Sequence, residues 1–218
     1  MLQIKLFTVN PIQENTYVVS DETKEAVIID CGCFTEREWK TVKDYIEDQH
    51  LRPVHLLNTH LHFDHCLGNR FAVRDYHLLA EAAMADYDLY SGMQAQAAMF
   101  MGNYYASHID TDFTAQLAPA LKEGDAIRFG SHTLTVIATP GHTPGGICFY
   151  CQAENVLFSG DSLFSGSIGR TDLPGGSFRD LITSISSKLL ILPPSTTVYS
   201  GHGPATTIDD EIKCNPYL

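Results

Sequence analysis

The chain is 218 residues long, 44% hydrophobic and 18% charged, which suits one globular domain with a sizeable core and leaves too little for a second. Its net charge of -12 argues against nucleic acid or an anionic membrane as partner, since both call for a basic patch. A small molecule is the expected partner, with a homodimer open.

The opening Met1-Leu2-Gln3-Ile4-Lys5-Leu6-Phe7 reads as a first strand and not as a signal peptide, and no run is long enough to cross a bilayer. Further strands are expected over residues 17–19 and 26–30, the latter β-branched and ending in Asp30-Cys31-Gly32. A helix over 36–49 places Trp39, Val42, Tyr45 and Ile46 on one apolar stripe facing a sheet. The apolar strand at 54–57 runs into Asn58-Thr59-His60-Leu61-His62-Phe63-Asp64-His65. Residues two apart on an extended chain share a face, so His60 and His62 point together. A helix expected over 66–76 would bring Asp64 and His65 to the same point from its first turn. Four such donors within six residues suit a pair of metal ions. Imidazole and carboxylate suit zinc, iron or manganese, and the missing thiolate argues against a closed structural zinc site.

Residues 81–119 turn rich in Ala, Met and Tyr, with Leu89, Met93, Ala97, Phe100 and Tyr104 at near-heptad spacing. They read as a helical insertion in a single 1–218 domain, its apolar stripe packing against the domain or a dimer face, or serving as lid or pocket wall. Strands resume at 126–129 and 134–138. The second of these ends in the turn-rich Thr139-Pro140-Gly141-His142-Thr143-Pro144-Gly145-Gly146, which presents His142. The strand Val156-Leu157-Phe158-Ser159 stops at Gly160-Asp161, and Thr197-Val198-Tyr199-Ser200 stops at Gly201-His202-Gly203. Three strands that each end at a glycine and one donor are how a sheet edge gathers distant residues into one site.

The six cysteines are Cys31, Cys33, Cys66, Cys148, Cys151 and Cys214. Cys148 and Cys151 lie in a strand where positions three apart face opposite sides, so they read as packing residues and no disulfide framework is expected. That usage and the missing signal peptide point to a reducing cytoplasm. Cys66 also reads as a packing residue, with a lowered pKa at an expected helix start beside a metal as its other reading. His50, His55, His77, His108 and His132 have no comparable setting and read as surface or core.

Taken together, the HxHxDH segment, the GHTPG loop, Gly160-Asp161 and Gly201-His202-Gly203 resemble the metallo-β-lactamase superfamily in the right order along nearly the whole chain. Gly160 to Phe164, Gly166 to Asp172, Gly203 to Thr207 and Asn215 to Leu218 are similar to the short-form hydroxyacylglutathione hydrolases, the glyoxalase II type. The resemblance implies an α/β fold, an αββα sandwich of two mixed sheets with flanking helices. It implies His60, His62 and His142 on one metal, Asp64, His65 and His202 on a second, and Asp161 bridging them. Asp30 matches a carboxylate that orients a ligand histidine. Two divalent ions, zinc foremost with iron or manganese as alternatives, would supply a bridging hydroxide that Asp64 helps to orient. The carbonyl attacked would belong to a thioester such as an S-hydroxyacylglutathione, because a thiolate leaves without a proton donor. Arg170 is the candidate anion contact, with an ion pair as its other reading. The C-terminal helical domain by which longer glyoxalase II enzymes grip glutathione is missing. Persulfide dioxygenases of the superfamily share the Gly169-Arg170-Thr171-Asp172 segment and would use one iron on His60, His142 and Asp161. A lactonase or other ester hydrolase would use the same site.

Overall fold

A computed structural model describes residues 1–109, 117–118 and 120–218. The strands are β1 (Gln3–Val9), β2 (Glu14–Ser20), β3 (Glu25–Ile29), β4 (Arg52–Leu57), β5 (Ala80–Glu81), β6 (Ala126–Phe129), β7 (His132–Ala138), β8 (Ile147–Cys151), β9 (Val156–Gly160), β10 (Leu163–Phe164), β11 (Ser167–Ile168), β12 (Thr197–Ser200) and β13 (Thr206–Thr207). The helices are α1 (Glu36–Asp48), α2 (Phe63–Cys66), α3 (Asn69–Tyr76), α4 (Tyr87–Ser91), α5 (Met93–Met101), α6 (Asn103–Ala106), α7 (Phe178–Ser184) and α8 (Ile208–Cys214). Among these described residues no helix is long and apolar enough to cross a membrane.

Two mixed sheets stack, one ordered β1-β2-β3-β4-β5 and the other β13-β12-β9-β8-β7-β6, with β10 and β11 as a separate hairpin. Period-two alternation assigns each strand's side chains to two different cores. In β2, Tyr17 and Val19 face the opposite sheet while Val18 faces α1. In β8, Ile147, Phe149 and Cys151 enter the layer between the sheets, and Cys148 and Tyr150 pack beneath α7. Cys148 and Cys151 therefore lie in different cores, as their spacing predicts, and both are free thiols. Trp39, Val42 and Ile46 seat α1 on the outer face of the first sheet, and a capping box between Thr35 and Glu38 starts that helix. The result is an αββα sandwich.

Strand direction places the site. Strands β3, β4 and β5 run parallel, as do β9 and β12, and β7 shares their direction through the antiparallel β8. The chain therefore leaves β4, β7, β9 and β12 at one edge of the sandwich.

Two expected helices differ. The helix read over 66–76 is two pieces, because α2 already begins at Phe63 and the chain turns at Leu67-Gly68, where Gly68 N–H donates to Cys31 O at 2.8 Å. The near-heptad stripe does not persist either. Met93 and Ala97 are buried, but Phe100 and Tyr104 are exposed, and the inward positions pass to Tyr90 and Ala106. The chain breaks at Gly92 and again at Gly102, where φ is +90°, so no single helical face runs through the segment. Residues 110–116 and 119 of the expected insertion lie outside the described residues.

One buried polar contact ties the sheets together away from that edge. Asp21, just past β2, accepts from the Ser131 backbone at 2.7 Å and lies 2.9 Å from His132 Nδ1, whose Nε2 meets Glu154 at 3.1 Å. Burial alone would lower the His132 pKa, but hydrogen bonds to Asp21 and Glu154 outweigh it and raise it. A raised histidine contributes stability that is full below its unfolded value of about 6.5 and fades as pH rises through the folded value. Hydrogen bonds from Thr23 and His132 outweigh burial at Asp21 and lower its pKa, so its contribution fades only below about pH 4. Replacing His132 by Gln is expected to cost about 1–3 kcal/mol at pH 5.5 and clearly less at pH 8.5. Urea unfolding at the two pH values checks this, and an equal loss at both contradicts it.

Candidate metal centre

The edge loops converge on one cluster. β4 ends at Leu57, and Asn58 then braces the following loop, donating to His65 O at 2.9 Å and accepting from Asn69 at 2.8 Å. Asp30, which takes φ +52° as carboxamide and carboxylate residues tolerate, accepts from the Thr59 N–H and hydroxyl, both at 2.7 Å. With this frame held, His60 and His62 project to one side while Leu61 is fully buried in the core on the other. Asp64 and His65 sit in α2 and approach the same point. The loop after β7 delivers His142, the turn after β9 delivers Asp161, and the turn after β12 delivers His202.

Every sequence-predicted donor arrives. One donor atom from each of His60, His62 and His142 lies within 4.8 Å of the others, and the same holds for Asp64, His65 and His202 and for His60, His65 and Asp161. His62 Nδ1 lies 3.1 Å from His60 Nε2 and 2.9 Å from His142 Nε2. Asp161 joins the two halves, with Oδ1 3.4 Å from His65 Nε2 and Oδ2 3.6 Å from His142 Nε2 and 3.7 Å from His202 Nε2. Asp64 Oδ2 lies 3.3 Å from His202 Nε2.

The far ring nitrogens explain the orientations. His142 Nδ1 donates to Arg170 O at 2.7 Å, His60 Nδ1 sits 3.1 Å from the Thr59 hydroxyl, and His202 Nδ1 faces Gln13 O at 3.2 Å. His65 Nδ1 lies 3.1 Å from Asp30 Oδ2, near enough for an ion pair although not aligned as a hydrogen bond. Four imidazoles thus turn Nε2 to the cluster, and His62 alone turns Nδ1.

Burial, reinforced by neighbouring imidazoles, pushes the His60 pKa well below the ordinary range and His62 down to about 4. Burial opposes charge on His65 too, but Asp161, Asp64 and Asp30 outweigh it and raise its pKa well above the usual value. The same attraction from His65 overcomes burial at Asp161 and holds its carboxyl well below the usual range.

These donors fit metal ions on their own chemistry. Neutral nitrogens facing one another at 2.9–3.1 Å repel through their lone pairs unless a proton or cation lies among them. His65 Nε2 and Asp161 Oδ1 are buried without a hydrogen-bond partner, a cost that coordination removes. The donors are all nitrogen and oxygen, the set suited to zinc, iron or manganese.

Two residues go beyond the sequence reading. Asp86, from the helical segment, is buried and accepts from the Thr143 hydroxyl at 2.7 Å, Gly145 N–H at 2.6 Å and Leu61 N–H at 3.3 Å. It clamps the His142 loop to the His60–His62 segment, a role no local motif announces. Glu14 is fully buried with Oε1 3.9 Å from His65 Nδ1, at the start of a strand in which every residue is buried, and no local pattern marks it. Cys66 packs in the core, the favoured reading, and is not a helix-start thiol with a lowered pKa. It closes α2, is fully buried, and burial pushes its pKa well up. Arg170, half-exposed, engages Asp172 through Nε at 2.8 Å and Nη2 at 2.7 Å, the ion pair that was its other reading.

Comparison with known proteins agrees with this arrangement. A family model described as the metallo-beta-lactamase superfamily matches residues 9–202. The chain is 34% identical to hydroxyacylglutathione hydrolase GloC of Haemophilus influenzae, over 100% of this chain and 98% of that protein. The crystal structure of BLEG-1 B3 metallo-beta-lactamase superposes with a TM-score of 0.87 at 36% identity, covering 99% of both chains. TTHA1623 in a di-iron-bound form superposes with a TM-score of 0.83 at 34% identity, covering 98% of this chain and 100% of that one.

Two substitutions probe the geometry. A Cβ on Gly201 would overlap Asp161 Oδ1 and come 2.6 Å from His65 Cε1, so Gly201→Ala is expected to fold but retain less than half the metal of the parent protein by elemental analysis. Asp86→Ala leaves a buried hydroxyl and two N–H groups unpaired, which costs about 2–4 kcal/mol, and it is expected to weaken metal retention on dialysis about 10–100-fold. Asp86→Asn should recover part of both, whereas unaltered retention in Asp86→Ala would leave the clamp without a role at the cluster.

Proposed function

The chain belongs to the metallo-beta-lactamase superfamily, and on that premise we propose that it is a thioester hydrolase of the glyoxalase II type, acting on an S-hydroxyacyl thiol such as an S-hydroxyacylglutathione. The observation that carries this reading is the composition of the cavity beside the cluster, about 380 Å³ in volume. Apart from the cluster's own imidazoles and carboxylates, its polar side chains are Ser167 and Arg170, and neither readily gives up a proton near neutral pH. Such a lining favours a leaving group that departs as an anion over one that needs a proton from the side chains. A thiolate with a free pKa of about 8.5 does so, while an amine does not.

His60, His62 and His142 would hold one divalent ion, Asp64, His65 and His202 a second, with Asp161 shared between them. When bound, two such ions lower the pKa of water to about 7 and polarise a carbonyl. The protein's own part is orientation and exclusion. Asp30 and the Arg170 carbonyl fix the rings of His65 and His142, and Asp64, held by His202, orients the attacking water. Ile12, Phe164 and Ile168 keep bulk solvent from the carbonyl face. Water oxygen bonds to the acyl carbon, the carbon–sulfur bond breaks, one water proton ends on the departing sulfur and the other is released to solvent, and the products are a carboxylate and a thiol. Arg170 Nη1 offers a contact for a carboxylate of the thiol portion. Seven donors facing one cluster suit two ions, and the Ser167-Ile168-Gly169-Arg170 context with the C-terminal Asn215-Pro216-Tyr217-Leu218 favours the hydrolase over a persulfide dioxygenase.

Protein stripped by chelator and reloaded with zinc is expected to release thiol from S-lactoylglutathione with kcat/KM at or above about 10⁴ M⁻¹s⁻¹, and the stripped form to release none. Iron- and manganese-loaded samples run beside it identify the working metal. Cleavage of a cephalosporin with no thiol release under any metal would replace the thioesterase with a β-lactamase, the activity in the name of BLEG-1.

A further inference from the structure

A second recess, about 170 Å³, opens from the reaction cavity between α5 and the loop at 173–174. His62, Phe100 and Leu173 line both, so whatever lies against the cluster can extend into it. Its walls are otherwise Leu89, Ala95, Met99, Pro174 and Gln96. The Gln96 amide is already committed, donating to Leu89 O at 2.5 Å and accepting from Phe63 N–H at 3.4 Å. The recess thus offers a ligand a mostly apolar surface, with the Gln96 amide, bonded once as donor and once as acceptor, and the cluster histidine at its mouth as the polar side chains among its lining. Phe100 is fixed there by stacking on Phe63, with ring centroids 5.8 Å apart, yet it stays 41% exposed, and Met99 is 75% exposed. Apolar side chains left in solvent beside a reactive centre cost free energy that a ligand covering them recovers.

We propose that this recess seats an apolar acyl chain, so that the preferred substrates are thioesters of medium-chain acids. The inference rests on the thioesterase reading and names its substrate class. The acyl side is assigned to the recess because the donors suited to a polar thiol, Ser167 and Arg170, line the main cavity and are absent from the recess. Each methylene moved from water into such a surface is worth at most about 0.8 kcal/mol, or roughly fourfold in kcat/KM.

The test is a series of S-acyl-N-acetylcysteamine thioesters from acetyl to decanoyl, assayed by thiol release with the metal-loaded full chain. The hexanoyl ester is expected to exceed the acetyl ester at least about tenfold in kcat/KM. Ala95→Trp, at an exposed position on α5, would fill the recess and should cut that ratio severalfold, as should Leu173→Asp. Hydrolysis of all esters at equal rates, or a ratio unmoved by both variants, overturns the proposal and leaves the thioesterase standing. Should no ester be cleaved, the thioesterase reading fails instead, and binding decides on the recess. Octanoate should then bind at least tenfold tighter than acetate by calorimetry, with Ala95→Trp removing the difference. Equal binding of the two acids overturns it.

Discussion

Everything at the sandwich edge depends on one unfavourable convergence, five imidazoles and two carboxylates aimed at one small volume. Without a cation, the closest nitrogens present lone pairs to each other, and buried acceptors lack donors. Such an arrangement persists only where the scaffold over-determines it, and here it does. Asp30 holds Thr59 and lies against His65, Asn58 and Asn69 brace the loop between β4 and α2, and the Arg170 carbonyl orients His142. Folding bears the cost of the cluster, and ligation repays it.

The sandwich can bear that cost because its cores are arranged independently of the site. The layer between the sheets is built from Tyr17, Val19, Ile29, Leu57, Phe149 and Phe158, and the outer layers from α1 and α3 on one side and α7 and α8 on the other. None of these side chains is a donor. Burial of apolar area therefore supplies stability, while the loops at strand ends remain free to carry polar residues at full burial.

The helical segment after β5 couples the two. It covers Leu61, Phe63 and Cys66 with Tyr90, Met93 and Ala97, so it seals the back of the ligand loop. Through Asp86 it binds that loop to the His142 turn. Its outer residues then form one wall of the apolar recess. One segment thus contributes to stability, to the separation of the histidines and to the shape offered to substrate.

Much of this was legible in the chain itself. Strand boundaries at 126–129 and 197–200 match the structure residue for residue, because short segments with β-branched and aromatic residues between turn residues carry their own signal. All seven donors could be named, since His60, His62, Asp64 and His65 stand adjacent and the others each follow a strand that stops at or near glycine. Local periodicity could not tell where α2 and α3 divide or which residues of the helical segment turn inward, as both depend on contacts distant in sequence. Asp86 and Glu14 stayed hidden for the same reason, because a carboxylate becomes a clamp only when burial removes water and brings donors to it. The sequence by itself determined which residues bear the chemistry and which elements present them, through patterns that span a few residues. Only the tertiary structure decided which ring nitrogen each histidine turns inward, how the loops are clamped and what surface borders the cluster, since those follow from strands packing side by side across more than a hundred residues of chain.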